Sequence, residues 1–292
     1  MEFIMSNYVI YTDSGSDIDA LTLEKWGVKS QSLTFRFTGE DKEYSNSDMP
    51  EKEFYEKMRK GGVAKTAAVN VQTFYDGFEE VLKEGNDLLY LGFSSGLSTT
   101  ANSARLAAEQ LRPLYPERKI IVVDTLMASA GEGLYVSLVL DKKNAGATIE
   151  EAAAYAEEIK FNVCAWFTVD DLVYLKRGGR VSPTVAFVGN ALGIKPIMHV
   201  DNEGHLVKVT KARGRKASIE ALADKIGEAA LDPQNGRVYI THGDCIDDAN
   251  LLADMIKAKF GGKVEYINYV GPVIGAHSGP GTLALFYVGK ER

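Results

Sequence analysis

Short apolar runs alternate with amphipathic stretches through the first half of the chain, and that rhythm constrains the fold more than any other feature. Tyr8-Val9-Ile10-Tyr11 ends in the polar turn of residues 12–17, and an amphipathic stretch to Trp26 is stopped by Gly27. Residues 28–37 read as one strand. Helices are expected over residues 48–60, 71–84, 98–111 and 128–140, with strands at 88–93 and 119–124. Thr148 and Glu151 have the spacing of a capping box, opening a helix that reaches Lys160. Strands separated by helices at this spacing imply a mainly parallel sheet covered on both faces.

After residue 162 the pattern changes. A strand over 163–169 leads to a short helix, 170–177, stopped by Gly178-Gly179. Ser182 before Pro183 reads as a helix start, with Gly193 as its stop. Residues 194–200 and 205–209 flank Asp201-Asn202-Glu203-Gly204, whose turn chemistry predicts a hairpin. Helices at 218–230 and 247–260 alternate with strands at 237–241 and 264–269, and a last strand covers 283–288. This describes an α+β layer, so two domains are expected, 1–162 and 163–292. The 292 residues agree, at ~100–200 residues per domain.

Composition removes several function classes. Forty acidic against 33 basic residues give a net charge of −7, which opposes the phosphate neutralisation that nucleic-acid binding requires. Two cysteines and four histidines without HExxH or CxxC spacing predict no metal. No apolar run reaches the ~18 residues of a membrane span, and residues 1–5 lack the basic and apolar regions of a signal peptide. A soluble, cytoplasmic chain without stable membrane insertion is expected.

The richest candidate for chemistry runs from Gly92 through Ser94, Ser95, Gly96, Ser98, Thr99 and Thr100 to Ser103, joining a strand to a helix. Ligands of open α/β sheets sit beyond the carboxyl ends of strands, where helix N-termini favour anions. Uncharged hydroxyls there could hold a carboxylate; alternatively Ser98 simply caps the helix. The same segment, Gly92-Phe93-Ser94-Ser95-Gly96, matches G-x-S-x-G, so a serine esterase or lipase-like hydrolase with Ser94 as nucleophile and His242 or His277 downstream is the alternative. No HGGG-like oxyanion segment precedes Ser94, and the change of pattern after residue 162 disfavours a single hydrolase sheet. Residues 65–70 read as a loop presenting Thr66, with Asn70 capping the next helix. Asp13 is expected to make an Asx turn and Asp17 to cap a helix. Residues 271–281 read as a glycine-rich loop holding His277 alone. Lys176, Arg177 and Arg180 suit a helix end, whereas Lys208, Lys211, Arg213, Arg215 and Lys216 form a second basic island suited to solvation or to partner docking.

Taken together these segments resemble the DegV family. The resemblance covers essentially the whole chain and rests on an ordered series: Thr12-Asp13-Ser14, Lys65-Thr66, Ser94 to Ser98, Val123-Asp124-Thr125, Tyr174 to Arg180, Gly193-Ile194-Lys195-Pro196-Ile197 and Gly275 to Gly281. It implies a parallel α/β, Rossmann-like N-terminal domain followed by an α+β domain, with a fatty acid in the crevice between them and no cofactor. It further implies a non-catalytic carrier that presents the carboxylate to an ATP-dependent fatty acid kinase subunit. By resemblance Thr66, a serine among Ser94, Ser95 and Ser98, and His277 hold the head group, while Arg213 or Arg215 contacts the kinase. Two departures stand out: Ala67-Ala68-Val69-Asn70 replaces the usual serine and Pro-Ser or Pro-Thr, and Thr99 replaces a glycine.

Overall fold

The computed structural model describes residues 7–182 and 193–292. The expected helix start at Ser182-Pro183 lies at and beyond the edge of the described residues. Strands β1 (Tyr8–Asp13), β2 (Lys29–Gln31), β6 (Asp87–Gly92) and β7 (Ile120–Asp124) form a parallel sheet in the order β2-β1-β6-β7. Alternate residues of β6 enter two different cores. Leu88 and Tyr90 pack with α3 (Val71–Lys83) and α4 (Thr100–Leu111), and Leu89 and Leu91 with α5 (Ala130–Asn144) and α6 (Ile149–Ile159). The sheet is therefore covered on both faces, as the alternation predicts, and each fully buried leucine or phenylalanine contributes about 1.5–3 kcal/mol. Local chemistry sets the helix ends: Asn70 accepts from Thr73 N at 2.9 Å, the Thr148–Glu151 capping box closes, and Gly27 ends α1 (Ala20–Trp26) at φ 64°.

Residues after 162 supply a six-stranded mixed sheet, ordered β10-β9-β8-β13-β11-β12. It comprises β8 (Val163–Thr168), β9 (Ile194–Val200), β10 (Leu206–Arg213), β11 (Val238–His242), β12 (Val264–Tyr269) and β13 (Leu283–Val288). The expected hairpin at Asp201–Gly204 joins β9 to β10. One face packs on α8 (Arg215–Ala229) and α9 (Ile246–Phe260). The opposite face, with Ala165, Phe167, Ala284 and Phe286, shares a core with α5. Helix α5 thus lies between the two sheets, buried over most of residues 130–140, while its last turn, residues 141–144, is polar.

Four local expectations are corrected. Residues 28–37 are two strands: β2 joins the parallel sheet, while β3 (Thr34–Phe37) joins β4 (Tyr44–Ser45) and β5 (Ala64–Ala67) in a small antiparallel sheet. The chain breaks where Leu33 N donates to Ser14 Oγ at 2.9 Å. Thr66 therefore stands on a strand, paired with Phe35, and not in a loop. Asp19, not Asp17, caps α1, accepting from Thr22 N at 2.9 Å; Asp17 is left-handed at φ 50° and turns inward. Residues 271–281 contain a helix, α10 (Pro272–Ser278), started by proline at its first turn. Between Glu51–Arg59 (α2), β5 and the short α7 (Val173–Arg177), this helix has enough packing to form despite Gly275 and the glycines that flank it.

Candidate functional site

A cavity of about 450 Å³ opens between the large sheet and the elements packed over it. Its wall is mainly apolar, with Phe93, Leu97, Phe167, Leu206, Val273 and Phe286 among the lining residues. Polar groups gather around α10. Because α10 packs on β3, β5 and α2, His277, from the last twenty residues, reaches β5. There its Nε2 lies 2.8 Å from Thr66 Oγ1. Burial, aided by the nearby Arg180 charge, depresses the imidazole to a pKa of about 4, so it is neutral near pH 7. A neutral ring has one donor and one acceptor nitrogen. Nδ1 is buried with no partner among the described residues, and it faces Gly178, where a Cβ would come within 2.1 Å of it.

The serine-rich turn separates into distinct roles. Ser95 and Ser98 line the cavity. Ser95 is exposed, and its N–H donates to the Asp124 carboxylate at 3.3 Å. Ser98 does not cap α4 as the boundary residue; Thr99 precedes the helix, and Ser98 Oγ accepts from Thr100 N at 3.2 Å and lies 2.8 Å from Thr100 Oγ1. Ser94 is not among the cavity-lining residues. Its fully buried hydroxyl donates to Gly204 O at 2.9 Å and accepts from Gly96 N at 3.1 Å, clipping this turn to the β9–β10 hairpin. Gly204, at φ +77°, has no room for a Cβ, which would lie 2.1 Å from Ser94 Oγ.

That geometry corrects the hydrolase alternative. Among the described residues no histidine bonds Ser94: His277 is engaged with Thr66, and His242 Nδ1 accepts from Cys245 N at 3.3 Å. A nucleophile needs a base within hydrogen-bond reach. Ser94→Ala is expected to lower unfolding free energy by about 1–3 kcal/mol, because the buried Gly204 carbonyl and the half-buried Gly96 N–H lose their partner. A fluorophosphonate probe should leave wild-type Ser94 unlabelled, and labelling there would restore the nucleophile.

The two arginines expected to dock a partner differ. Arg213 is exposed at the end of the edge strand β10. Arg215 is tied down instead, with Nε 2.8 Å from Asp248 Oδ2 and a guanidinium nitrogen 3.7 Å from Asp170. Sequence reasoning missed Arg180 at the site, assigning it to a helix end. It lines the cavity, donates from Nε to Leu97 O at 3.2 Å and also bonds Gly178 O. The available signal was the glycine pair before it: Gly179 turns at φ +69° and sends the chain back toward the cavity. No group of metal-ligating side chains occurs among the described residues, nor a helix long and apolar enough to cross a membrane.

The family model described as "Uncharacterised protein, DegV family" matches residues 7–290. A DegV domain-containing protein of Clostridium perfringens is 40% identical over 99% of this chain and 99% of its own length. Among solved structures, a DegV lipid-binding protein from Thermotoga maritima superposes with a TM-score of 0.85 at 32% identity, covering 98% of this chain and 99% of its own. A DegV family protein from Thermus thermophilus, described by its fatty acid binding, gives 0.87 at 29% identity over 97% and 99%.

Proposed function

The chain belongs to the DegV family, and from that premise we propose that it is a non-catalytic fatty-acid-binding protein, with an acyl chain in the cavity and the carboxylate beside Thr66 and His277. The observation that carries this reading is the mainly apolar 450 Å³ cavity on whose wall Thr66 and His277 meet. Burial of hydrocarbon yields ~0.8 kcal/mol per methylene, so the tail supplies affinity and the head group needs orientation. Thr66, Ser98 and a neutral imidazole can orient a carboxylate, Ser95 stands at the same wall, and the Arg180 cation offsets part of the charge whose burial would otherwise be costly. Ser94 supports this site indirectly, by fixing the turn.

In this reading the residues before and after 162 are two walls of one crevice, and no cofactor takes part. The carrier works in the cytoplasm and presents the carboxylate to a separate ATP-dependent kinase subunit, which forms the acyl phosphate. Exposed Arg213 suits contact with that subunit better than the paired Arg215 does.

Native mass spectrometry of the gently purified protein is the direct test. One fatty acid per chain is expected, retained on dilution and released on unfolding. A protein that carries no lipid and takes up no added hexadecanoic acid would remove the proposal.

A further inference from the structure

Besides the Thr66–His277 pair, the cavity wall contains a hydroxyl with nothing to bond. Ser278 ends α10, is 5% exposed and lines the cavity, yet its Oγ has no partner among the described residues. The other buried serine and threonine hydroxyls on the same wall are engaged. Thr282 Oγ1 donates to Gly279 O at 2.7 Å. Ser129 Oγ donates to Asp17 Oδ2 at 2.5 Å and lies 2.9 Å from Thr241 Oγ1. Among the described residues Ser278 is therefore the buried hydroxyl of this wall that is left to both donate and accept toward whatever fills the cavity. A plain hydrocarbon leaves it buried and unsatisfied, which is unfavourable.

We propose that Ser278 recognises a hydroxyl carried on the acyl chain near its carboxyl end, so that the preferred ligand class is a hydroxylated fatty acid. The inference rests on the lipid-carrier reading above and names the substrate class of that same site. The position follows from chain geometry. Ser278 directly follows His277, and successive Cα atoms stand ~3.8 Å apart. A carboxylate held beside His277 Nε2 and Thr66 brings only the first few carbons of the chain within reach of Ser278. Ala165, Phe167 and Phe286, which also line the cavity, offer nothing to a polar substituent. An alcohol matches Ser278 because it also donates and accepts. Sites built to bond a hydroxyl discriminate against the analogue lacking it, since their own buried group is then left unpaired.

The test is competitive loading. Delipidated wild type and Ser278→Ala are each offered equal amounts of hexadecanoic, 3-hydroxyhexadecanoic and 16-hydroxyhexadecanoic acid, and bound lipid is read by native mass spectrometry. The wild type should take the 3-hydroxy acid over the plain acid by roughly five- to tenfold, as one buried hydrogen bond implies. Ser278→Ala should lose that preference while loading hexadecanoic acid at least as well, which also shows that the variant is folded. The 16-hydroxy isomer controls for polarity alone and should be favoured by neither protein. Equal uptake of the plain and 3-hydroxy acids by the wild type overturns the inference, as does a preference that Ser278→Ala retains or one for the 16-hydroxy isomer. If neither protein takes up any of the three, the carrier reading itself fails and this assignment falls with it.

Discussion

Exchanging Asp17 for asparagine should abolish a large part of the loss of stability that the wild type undergoes between about pH 4 and pH 7. Asp17 is buried, its Oδ1 accepting from Gly271 N at 3.0 Å and its Oδ2 from the Ser129 hydroxyl at 2.5 Å. The charged groups acting on it, Glu51 and Asp13, are acidic. Burial, reinforced by those two, raises its pKa to about 7 against the pull of the two hydrogen bonds. In the unfolded chain the same carboxyl releases its proton near pH 4. Between those values the folded state holds a proton that the unfolded state has lost, so stability falls as pH rises. The contribution is complete below the unfolded pKa and gone above the folded one. Three pH units correspond to about 4 kcal/mol as an upper figure. Asparagine keeps an acceptor for Gly271 and cannot ionise, so Asp17→Asn should match the wild type near pH 4 and exceed it at pH 8. Asp13 and Glu132, also raised by burial, remain in both proteins. The difference between two urea titrations, one at each pH, therefore reports Asp17 together with its coupling to Asp13 and Glu132. A difference that does not change with pH removes this account.

How much of this could be read from the sequence depends on whether the cause was local. Asn70, the Thr148–Glu151 box and Gly27 act within four residues, and each is where the sequence puts it. The parallel sheet was legible because β6 is an uninterrupted apolar run between helices. Thr66 on β5 was not, because Ala64-Lys65-Thr66-Ala67 has no strand pattern of its own and is ordered by pairing with Thr34–Phe37. Likewise α10 lies in a glycine-rich segment, with Gly271 and Gly279 at its ends, and looks like a loop until Tyr55 and α7 pack against it. Asp17 and Asp19 are both plausible caps two residues apart, and only the left-handed turn at Asp17 decides between them. At the site, residue types survived better than roles. His277 and Thr66 meet as the resemblance implies, whereas Ser94 and Arg215 are held by partners that no spacing rule reveals.

A single methyl group added at Gly178 should weaken lipid binding by displacing His277. Gly178 ends α7 at φ −73°, a conformation that alanine adopts freely. At such a φ the unfolded chain alone would favour alanine by about 0.4–1 kcal/mol, a gain that overpacking against His277 opposes. The new Cβ, however, would sit 2.1 Å from His277 Nδ1 and 3.1 Å from two ring carbons. The imidazole must withdraw by more than a bond's worth of movement, and the 2.8 Å contact with Thr66 breaks. Losing that orientation at the head group, at about 0.5–1.5 kcal/mol per hydrogen bond, should weaken fatty acid retention by up to about tenfold. Gly179→Ala provides the opposite signature. At φ +69° an alanine there is strained, with nothing within 4 Å of its Cβ, so stability should fall by roughly 1–2 kcal/mol while lipid binding stays unchanged. Thermal melts of the delipidated proteins and displacement of a fluorescent fatty acid measure the two quantities separately. Should Gly178→Ala bind lipid as the wild type does, His277 has no part in holding the head group, and the site must be sought at Ser98 and Arg180 instead.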